Sequence, residues 1–231
     1  MDFRGRNVVV TGGAGALGAA VVDALIEADA VCHVPCRTQA EAERFAHRDH
    51  AAVKLSAPVD LTDEAAVEKL YAGVPGLWAS LHIAGGFAAG SIEQTGKADL
   101  MRQIETNLVS AHLCCRAAVR AMAGNGGRIV NVAASRAIEW RTGAGMTAYT
   151  ASKAAVAALT VALAEEVVRK GILVNAVAPS IMDTPANRAA MPKADPAKWP
   201  KVEEVAATIL FLASPDNQVT RGAIVPVYGR S

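Results

Sequence analysis

The sequence predicts an α/β domain whose parallel sheet is covered by helices on both faces. Short β-branched and apolar runs alternate with longer helical patterns along the chain, which implies strand–helix–strand units with right-handed crossovers. The first apolar run passes at once into a glycine cluster and then into an apolar helical pattern. Aromatic residues make up only 4% of the chain while alanine is abundant, a composition suited to helices packed closely on a sheet.

The elements follow in order. Asn7-Val-Val-Val-Thr11 reads as a strand without polar alternation, as burial on both faces requires. Gly12-Gly13-Ala14-Gly15-Ala16-Leu17-Gly18 is a tight turn, and Val21, Val22, Leu25 and Ile26 mark the helix that follows. A turn of this kind presents backbone N–H groups and the positive end of a helix dipole to a pyrophosphate. Further strands are expected at 30–35, 51–57, 78–84, 128–133, 173–178 and 223–227. Helical patterns lie between them, the longest at 98–123, 146–170 and 202–213. Gly124-Asn-Gly-Gly127 reads as a loop rather than a boundary, and residues 1–231 as one nucleotide-binding domain without repeat or linker.

Charge excludes little but is informative. Lys plus Arg total 23 and Asp plus Glu 22, so no global imbalance points to nucleic acid or to a membrane surface. No apolar stretch reaches bilayer length, and Met1-Asp2-Phe3-Arg4 does not open a signal peptide, so a cytoplasmic location is the expectation. Cys32, Cys36, Cys114 and Cys115 lack zinc or redox spacing and are expected to be buried free thiols.

Chemistry is concentrated in Tyr149-Thr-Ala-Ser-Lys153. On a helix, residues four apart share a face, so the phenol and the ammonium reach one reacting centre. A phenol with a pKa near ~10 is no base at neutral pH, and lowering it by roughly three units requires about 4 kcal/mol in favour of the phenolate. A lysine on the same face, aided by a cationic nicotinamide ring, is the expected source.

These segments together resemble the short-chain dehydrogenase/reductase family, over nearly the whole chain. Thr11-Gly12 and Gly18 fit its Thr-Gly-x-x-x-Gly-x-Gly signature, with Ala16 where the middle glycine is usual and Gly15 expected to supply the backbone freedom instead. Asp60-Leu61 is similar to the segment whose acid hydrogen-bonds the adenine. Ala84-Gly85, followed by Gly86, continues what is usually Asn-Asn-Ala-Gly, the asparagines being replaced by His82 and Ile83. Asn107 matches the asparagine that supports the family's proton relay, and the segment from Pro179 to Thr184 resembles its Pro-Gly segment, with Ser180 in place of glycine. The resemblance implies a Rossmann-type, doubly wound sheet of order 3-2-1-4-5-6-7. It also implies a cofactor site built from Gly12, Gly15, Ala16, Leu17, Gly18, Asp60, Leu61, Ala84, Gly85, Gly86, Tyr149, Lys153, Met182 and Thr184.

Cofactor choice is read at the end of the second strand, where a carboxylate would accept from the adenosine ribose of NAD and repel the 2′-phosphate of NADP. Val34-Pro35-Cys36-Arg37-Thr38 has no acid there, and none follows before Glu41. Arg37 is expected to contact the 2′-phosphate with Thr38 adding a hydroxyl, so NADP(H) is favoured and NAD(H) is possible. The family's carbonyl-binding serine falls on Ala134 here, and Ser135 follows it, 14 residues before Tyr149. A one-residue bulge would bring Ser135 into place; otherwise Thr147 or a backbone N–H would have to substitute.

The resulting expectation is a hydride-transferring oxidoreductase acting on a small-molecule carbonyl or alcohol. Tyr149 would be general acid/base, Lys153 would lower its pKa and bind the nicotinamide ribose, Ser135 would hold the carbonyl, and Asn107 would anchor a water relay. Alternatives are a pteridine- or imine-type reductase on the same scaffold, or a non-catalytic nucleotide-sensing protein. Arg136, Trp140, Arg141, Met146, Met191 and Trp199 are expected around the substrate, and the two arginines suit an acidic one. His82 is read as packed or backbone-bonded. No metal site is expected. The small and apolar residues of 98–123 and 146–170 point to an isologous interface in a homo-oligomer, a tetramer or dimer, with 225–231 building a second interface.

Overall fold

The computed structural model describes residues 1–230; Ser231, the end of the segment expected to build a second interface, lies outside them. Seven parallel strands form one sheet of order β3-β2-β1-β4-β5-β6-β7. They are β1 (Asn7–Thr11), β2 (Val31–Pro35), β3 (Val53–Ser56), β4 (Leu77–His82), β5 (Gly127–Val132), β6 (Ile172–Pro179) and β7 (Ile224–Val227). This is the doubly wound order that the resemblance implied. The order reverses between β1 and β4, which opens a crevice beyond their carboxyl ends.

Helices cover both faces. On one lie α1 (Ala16–Glu27), α2 (Gln39–Arg44) and, near the chain end, α8 (Val202–Ala213). On the other lie α3 (Glu64–Ala72), the α4–α5 pair (Lys97–Gln103 and Ser110–Ala121) and α6 (Thr147–Val167). A short α7 (Pro185–Ala190) follows β6. Strand β1 shows why its apolar run is continuous: Val8 and Val10 enter the core under α1 and α8, while Val9 enters the opposite core. Successive strand side chains point to opposite faces, so both must be apolar.

Three local features differ from the sequence expectation. The pattern at 98–123 is not one α-helix, because Ile104–Val109 forms a π-helical segment between α4 and α5. A π turn inserts an extra residue into the helical repeat and leaves no period of its own in the sequence. The backbone freedom assigned to Gly15 is not used there: its φ of −82° and ψ of 171° suit any residue. Gly12 carries the positive φ, +67°, and a Cβ on Gly18 would stand 2.0 Å from the Gly12 carbonyl oxygen. Those two glycines let α1 approach the end of β1, whereas Ala16 is an exposed first-turn residue. Finally, the β5–β6 register runs without a bulge from Gly127 to Val132, and the Ala133 N–H continues it to the Val177 carbonyl.

Candidate active site

A cleft of about 1050 Å³ opens along the carboxyl ends of the strands. The turn from Gly12 to Gly18 forms one wall, and no side chain caps the N-terminus of α1 at Gly15. The first-turn N–H groups of α1 thus offer donors and a favourable dipole to an anion, as a pyrophosphate requires. The opposite wall carries Tyr149 and Lys153 from α6, with Ser135 and Arg136 from the turn after β5.

Lys153 is 6% exposed and donates from Nζ to the Val132 carbonyl at 2.8 Å. Burial pushes its pKa down from 10.5 to about 8, so the ammonium form predominates at neutral pH. Burial raises the Tyr149 phenol above its ordinary range, and the charge that opposes this shift is the Arg136 guanidinium. Beside the lysine expected to bias the phenol, the Arg136 guanidinium is a second cation that favours the phenolate. Phe87, 63% exposed, meets Tyr149 edge to face with ring centroids 5.0 Å apart.

Ser135 reaches the cleft by a different route from the expected bulge. Ala134 stays extended, and Ser135 begins a 3₁₀ turn over Ser135–Ala137. Both Ala134 and Ser135 line the cleft, and the Ser135 hydroxyl accepts from Arg136 Nη1 at 3.1 Å. A serine hydroxyl that accepts this bond keeps its own proton to donate.

Asn107 stands behind the wall rather than on it. Its Oδ1 accepts from the Gly86 N–H at 2.9 Å, and its Nδ2 donates to the Gly86 carbonyl at 3.0 Å and to Ser152 Oγ at 3.0 Å. The π segment delivers this side chain to the Gly85–Gly86 turn. A Cβ at Gly85 would stand 2.8 Å from Asn107 Oδ1 and 3.2 Å from Lys153 Nζ, so the turn, the amide and the ammonium are packed to the limit.

The far end of the cleft is lined by Arg37, Asp60 and Leu61. Asp60 is held below the usual carboxylate range, first by the Thr62 backbone N–H and then by the Thr62 hydroxyl, with Arg37 contributing. Thr38, expected to add a hydroxyl, is absent from the lining; it caps α2, accepting from the Glu41 N–H at 3.1 Å. Glu41, noted in the sequence only as the first acid beyond the strand, folds back onto the Arg37 N–H at 2.7 Å and does line the cleft. Ala84, Gly85, Gly86, Met182 and Thr184 line it as expected, and Thr184 also caps α7.

Of the residues expected around the substrate, Arg136, Met146 and Met191 line the cleft. Trp140 and Arg141 instead border a separate depression of about 470 Å³ against α6, and Trp199 is buried. The Phe87 contact was missed, although an aromatic residue directly after Gly85-Gly86 was a signal available in the sequence. His82 is buried among side chains: its Nδ1 lies 2.7 Å from Asn131 Oδ1 and its Nε2 lies 2.8 Å from Ser80 Oγ. Asn131 spends its Nδ2 on Thr160, so His82 carries its proton on Nδ1. All four cysteines are buried and free, and among the described residues no cluster suits a metal ion and no helix is long and apolar enough to cross a membrane.

Comparison with known proteins agrees with this geometry. The sequence profile described as short chain dehydrogenase matches residues 6–195. A galactitol 2-dehydrogenase of Rhizobium johnstonii is 36% identical over 240 residues, covering 96% of this chain and 93% of that protein. The (2S)-[(R)-hydroxy(phenyl)methyl]succinyl-CoA dehydrogenase subunit BbsD of Thauera aromatica is 32% identical over 253 residues, covering 99% and 97%. An oxidoreductase of the short chain dehydrogenase/reductase family from Burkholderia thailandensis superposes with a TM-score of 0.88 at 27% identity, over 97% of this chain and 92% of that one. The chain belongs to the short-chain dehydrogenase family of oxidoreductases.

Proposed function

We propose that this member of the short-chain dehydrogenase family transfers a hydride between NADP(H) and a small carbonyl or alcohol substrate, with Tyr149 as general acid/base. The observation that carries the reading is the placement of Tyr149 and Lys153 one helical turn apart on the wall of a cleft whose far side is an uncapped, glycine-lined helix N-terminus. Both relatives described above carry the names of dehydrogenases, one of galactitol and one of a hydroxyl-bearing succinyl-CoA thioester.

A nicotinamide nucleotide supplies the hydride-exchanging carbon when bound. The residues that would hold it are the Gly12–Gly18 turn and α1 for the pyrophosphate, Asp60 and Leu61 for the adenine, and Lys153 for the nicotinamide ribose. Ser135 donates its remaining proton to the substrate oxygen, and Tyr149 gives that oxygen a proton in reduction or removes one in oxidation. Lys153, an ammonium at neutral pH, supports the phenolate formed when that proton leaves. Asn107 keeps the Gly85–Gly86 turn in register with α6, and a water relay would continue from that region. NADP(H) is preferred in this reading because Arg37 lies on the cleft and no carboxylate ends β2.

The same reading makes the protein a cytoplasmic homo-oligomer. The oligomer is supported by the apolar surface of Leu100 and Met101 on α4 and Val161 on α6, all exposed in the single chain. Light scattering at micromolar concentration tests it, and a monomer mass would refute it. The activity is tested by nucleotide oxidation across a panel of ketones, aldehydes, imines and quinonoid pteridines. Turnover confined to imines or pteridines would replace the carbonyl assignment, and no turnover with either nucleotide would remove the enzymatic one.

A further inference from the structure

Among the charges that line the cleft, Arg136 stands beside Ser135 without a carboxylate partner. Arg136 is half-buried on the wall, and its Nη1 is spent on the Ser135 hydroxyl. Its Nε is buried with no hydrogen-bond partner. Arg188 grips Asp183 through Nε at 2.6 Å and Nη2 at 2.7 Å, and Arg120 pairs with Glu68, whereas Arg128, whose Nε is likewise buried without a partner, spends both Nη atoms on backbone carbonyls and lies over the Trp78 ring. Among the described residues Arg136 forms no ion pair. A solvated surface arginine needs no counter-ion, but a half-buried one without a partner pays desolvation that nothing in the chain returns.

We propose that Arg136 receives a carboxylate of the substrate, so that the protein acts on hydroxy and oxo carboxylic acids; this rests on the oxidoreductase reading above. With Nη1 held by Ser135 and Nε shut away from solvent, Nη2 is the donor left to face the cleft. A guanidinium N–H gives a carboxylate oxygen a short, charge-assisted hydrogen bond. The guanidinium acts on the Tyr149 phenol and touches the Ser135 hydroxyl, the two groups assigned to the reacting oxygen. The carboxylate therefore sits within a few carbon atoms of the carbon that exchanges hydride. Phe87, Met146 and Met191 line the same cleft and give the substrate body apolar walls. Two further charged residues of the lining, Arg102 and Glu105, are exposed, and Arg102 is paired with Asp99.

The test compares 2-, 3- and 4-oxo acids with their methyl esters, using wild type, Arg136→Met and Arg136→Lys with nucleotide present. Circular dichroism verifies that each variant folds. Wild type is expected to favour acids over esters in kcat/KM by about ten- to a hundredfold, mainly through KM, as one charge-assisted contact allows. In Arg136→Met that ratio falls to about one, and Arg136→Lys keeps part of it. Effects of Arg136 on Tyr149 or Ser135 that are common to both substrates cancel in the ratio. A wild-type ratio of one or less, or an unchanged ratio in Arg136→Met, overturns the inference while leaving the oxidoreductase reading intact. Ligand-observed NMR of the same acids on the protein, with and without nucleotide, separates the two claims. If no carbonyl is turned over, acid binding that is lost in Arg136→Met retains the carboxylate site and refutes the oxidoreductase reading. Acid binding that survives Arg136→Met, or is absent from wild type, overturns the site itself.

Discussion

The side-chain amide of Asn107 donates to the hydroxyl of Ser152 at 3.0 Å across 45 residues of sequence, and Ser152 in turn donates to the Tyr149 carbonyl at 2.7 Å. This bond ties the π segment to the one helical turn that carries both Tyr149 and Lys153. The same amide grips Gly86 through donor and acceptor. Asn107 is thus a strut between the glycine turn under the cleft and the helix above it.

Replacing Asn107 by Ala removes both sets of bonds and leaves the Gly86 backbone groups unpaired. Gly86 is half-buried on the cleft, so water can reach the freed groups, and the drop in stability expected in chemical denaturation is that of the lost hydrogen bonds, about 1–2 kcal/mol. Turnover should fall more than nucleotide affinity, since the loosened contact positions Tyr149 rather than the pyrophosphate turn. A variant as stable and active as wild type would deny Asn107 this task.

The sheet was legible in the sequence because burial on both faces leaves a plain signature: Val8, Val9 and Val10 must all be apolar when alternate residues enter different cores. Helix α8 was legible to the residue, since Val202–Ala213 repeats its apolar face without interruption. The π segment at Asn107 was not, because an extra residue within a helical run changes geometry without changing composition. The 3₁₀ turn at Ser135 was hidden for a similar reason: one displaced residue fits a bulge or a turn equally well. Electrostatics was the least legible part. The sequence neighbourhood pairs Tyr149 with Lys153 and carries no sign that Arg136, from the turn after β5, also favours the phenolate. Thr38 shows the competing demand of local structure, since a hydroxyl at the start of a helix is used there first.

Acid sensitivity should trace in part to His82. Burial lowers its pKa from 6.5 to about 4, with the Asn131 bond acting in the opposite direction. Between these values the unfolded chain binds more protons than the folded one, so stability rises with pH through this window and is lost as pH falls from 6.5 towards 4. The full loss attributable to His82 is about 3 kcal/mol. His33, whose pKa is also lowered by burial and then by Lys54, acts in the same direction. Urea denaturation of wild type and His82→Gln between pH 7 and pH 4.5 isolates the difference. The variant should be less stable at pH 7 but show the shallower pH dependence, and parallel profiles would refute the assignment.

Arg37→Ala should weaken NADPH binding by about ten- to a hundredfold, the loss of one charge-assisted contact of ~1.5–3 kcal/mol. NADH affinity should change little. Glu41 supplies the counter-test, because its carboxylate lies on the cleft beside Arg37 and would repel a 2′-phosphate. Glu41→Gln should therefore raise NADPH affinity relative to NADH. Equal losses for both nucleotides in Arg37→Ala, or a wild-type preference for NADH, would overturn the reading of the β2 end.

Tyr149→Phe keeps the ring and its contact with Phe87 while removing only the exchangeable proton. Fold and nucleotide affinity should survive. Turnover should fall by roughly 10²–10⁴-fold, the range that general acid/base catalysis supplies. Burial holds the phenol protonated at neutral pH, with Arg136 opposing that shift. In the reductive direction Tyr149 is therefore ready as an acid, and kcat/KM should be level near neutrality and decline as the phenol ionises. In the oxidative direction it must first lose its proton, so kcat/KM should rise over the same alkaline range. Arg136→Met removes a cation that favours the phenolate and should move both limbs to higher pH, whereas a shift produced by Lys153→Met alone would leave the lysine as the controlling charge. A folded, nucleotide-binding Tyr149→Phe protein with wild-type turnover on its best substrate would end the proposed mechanism.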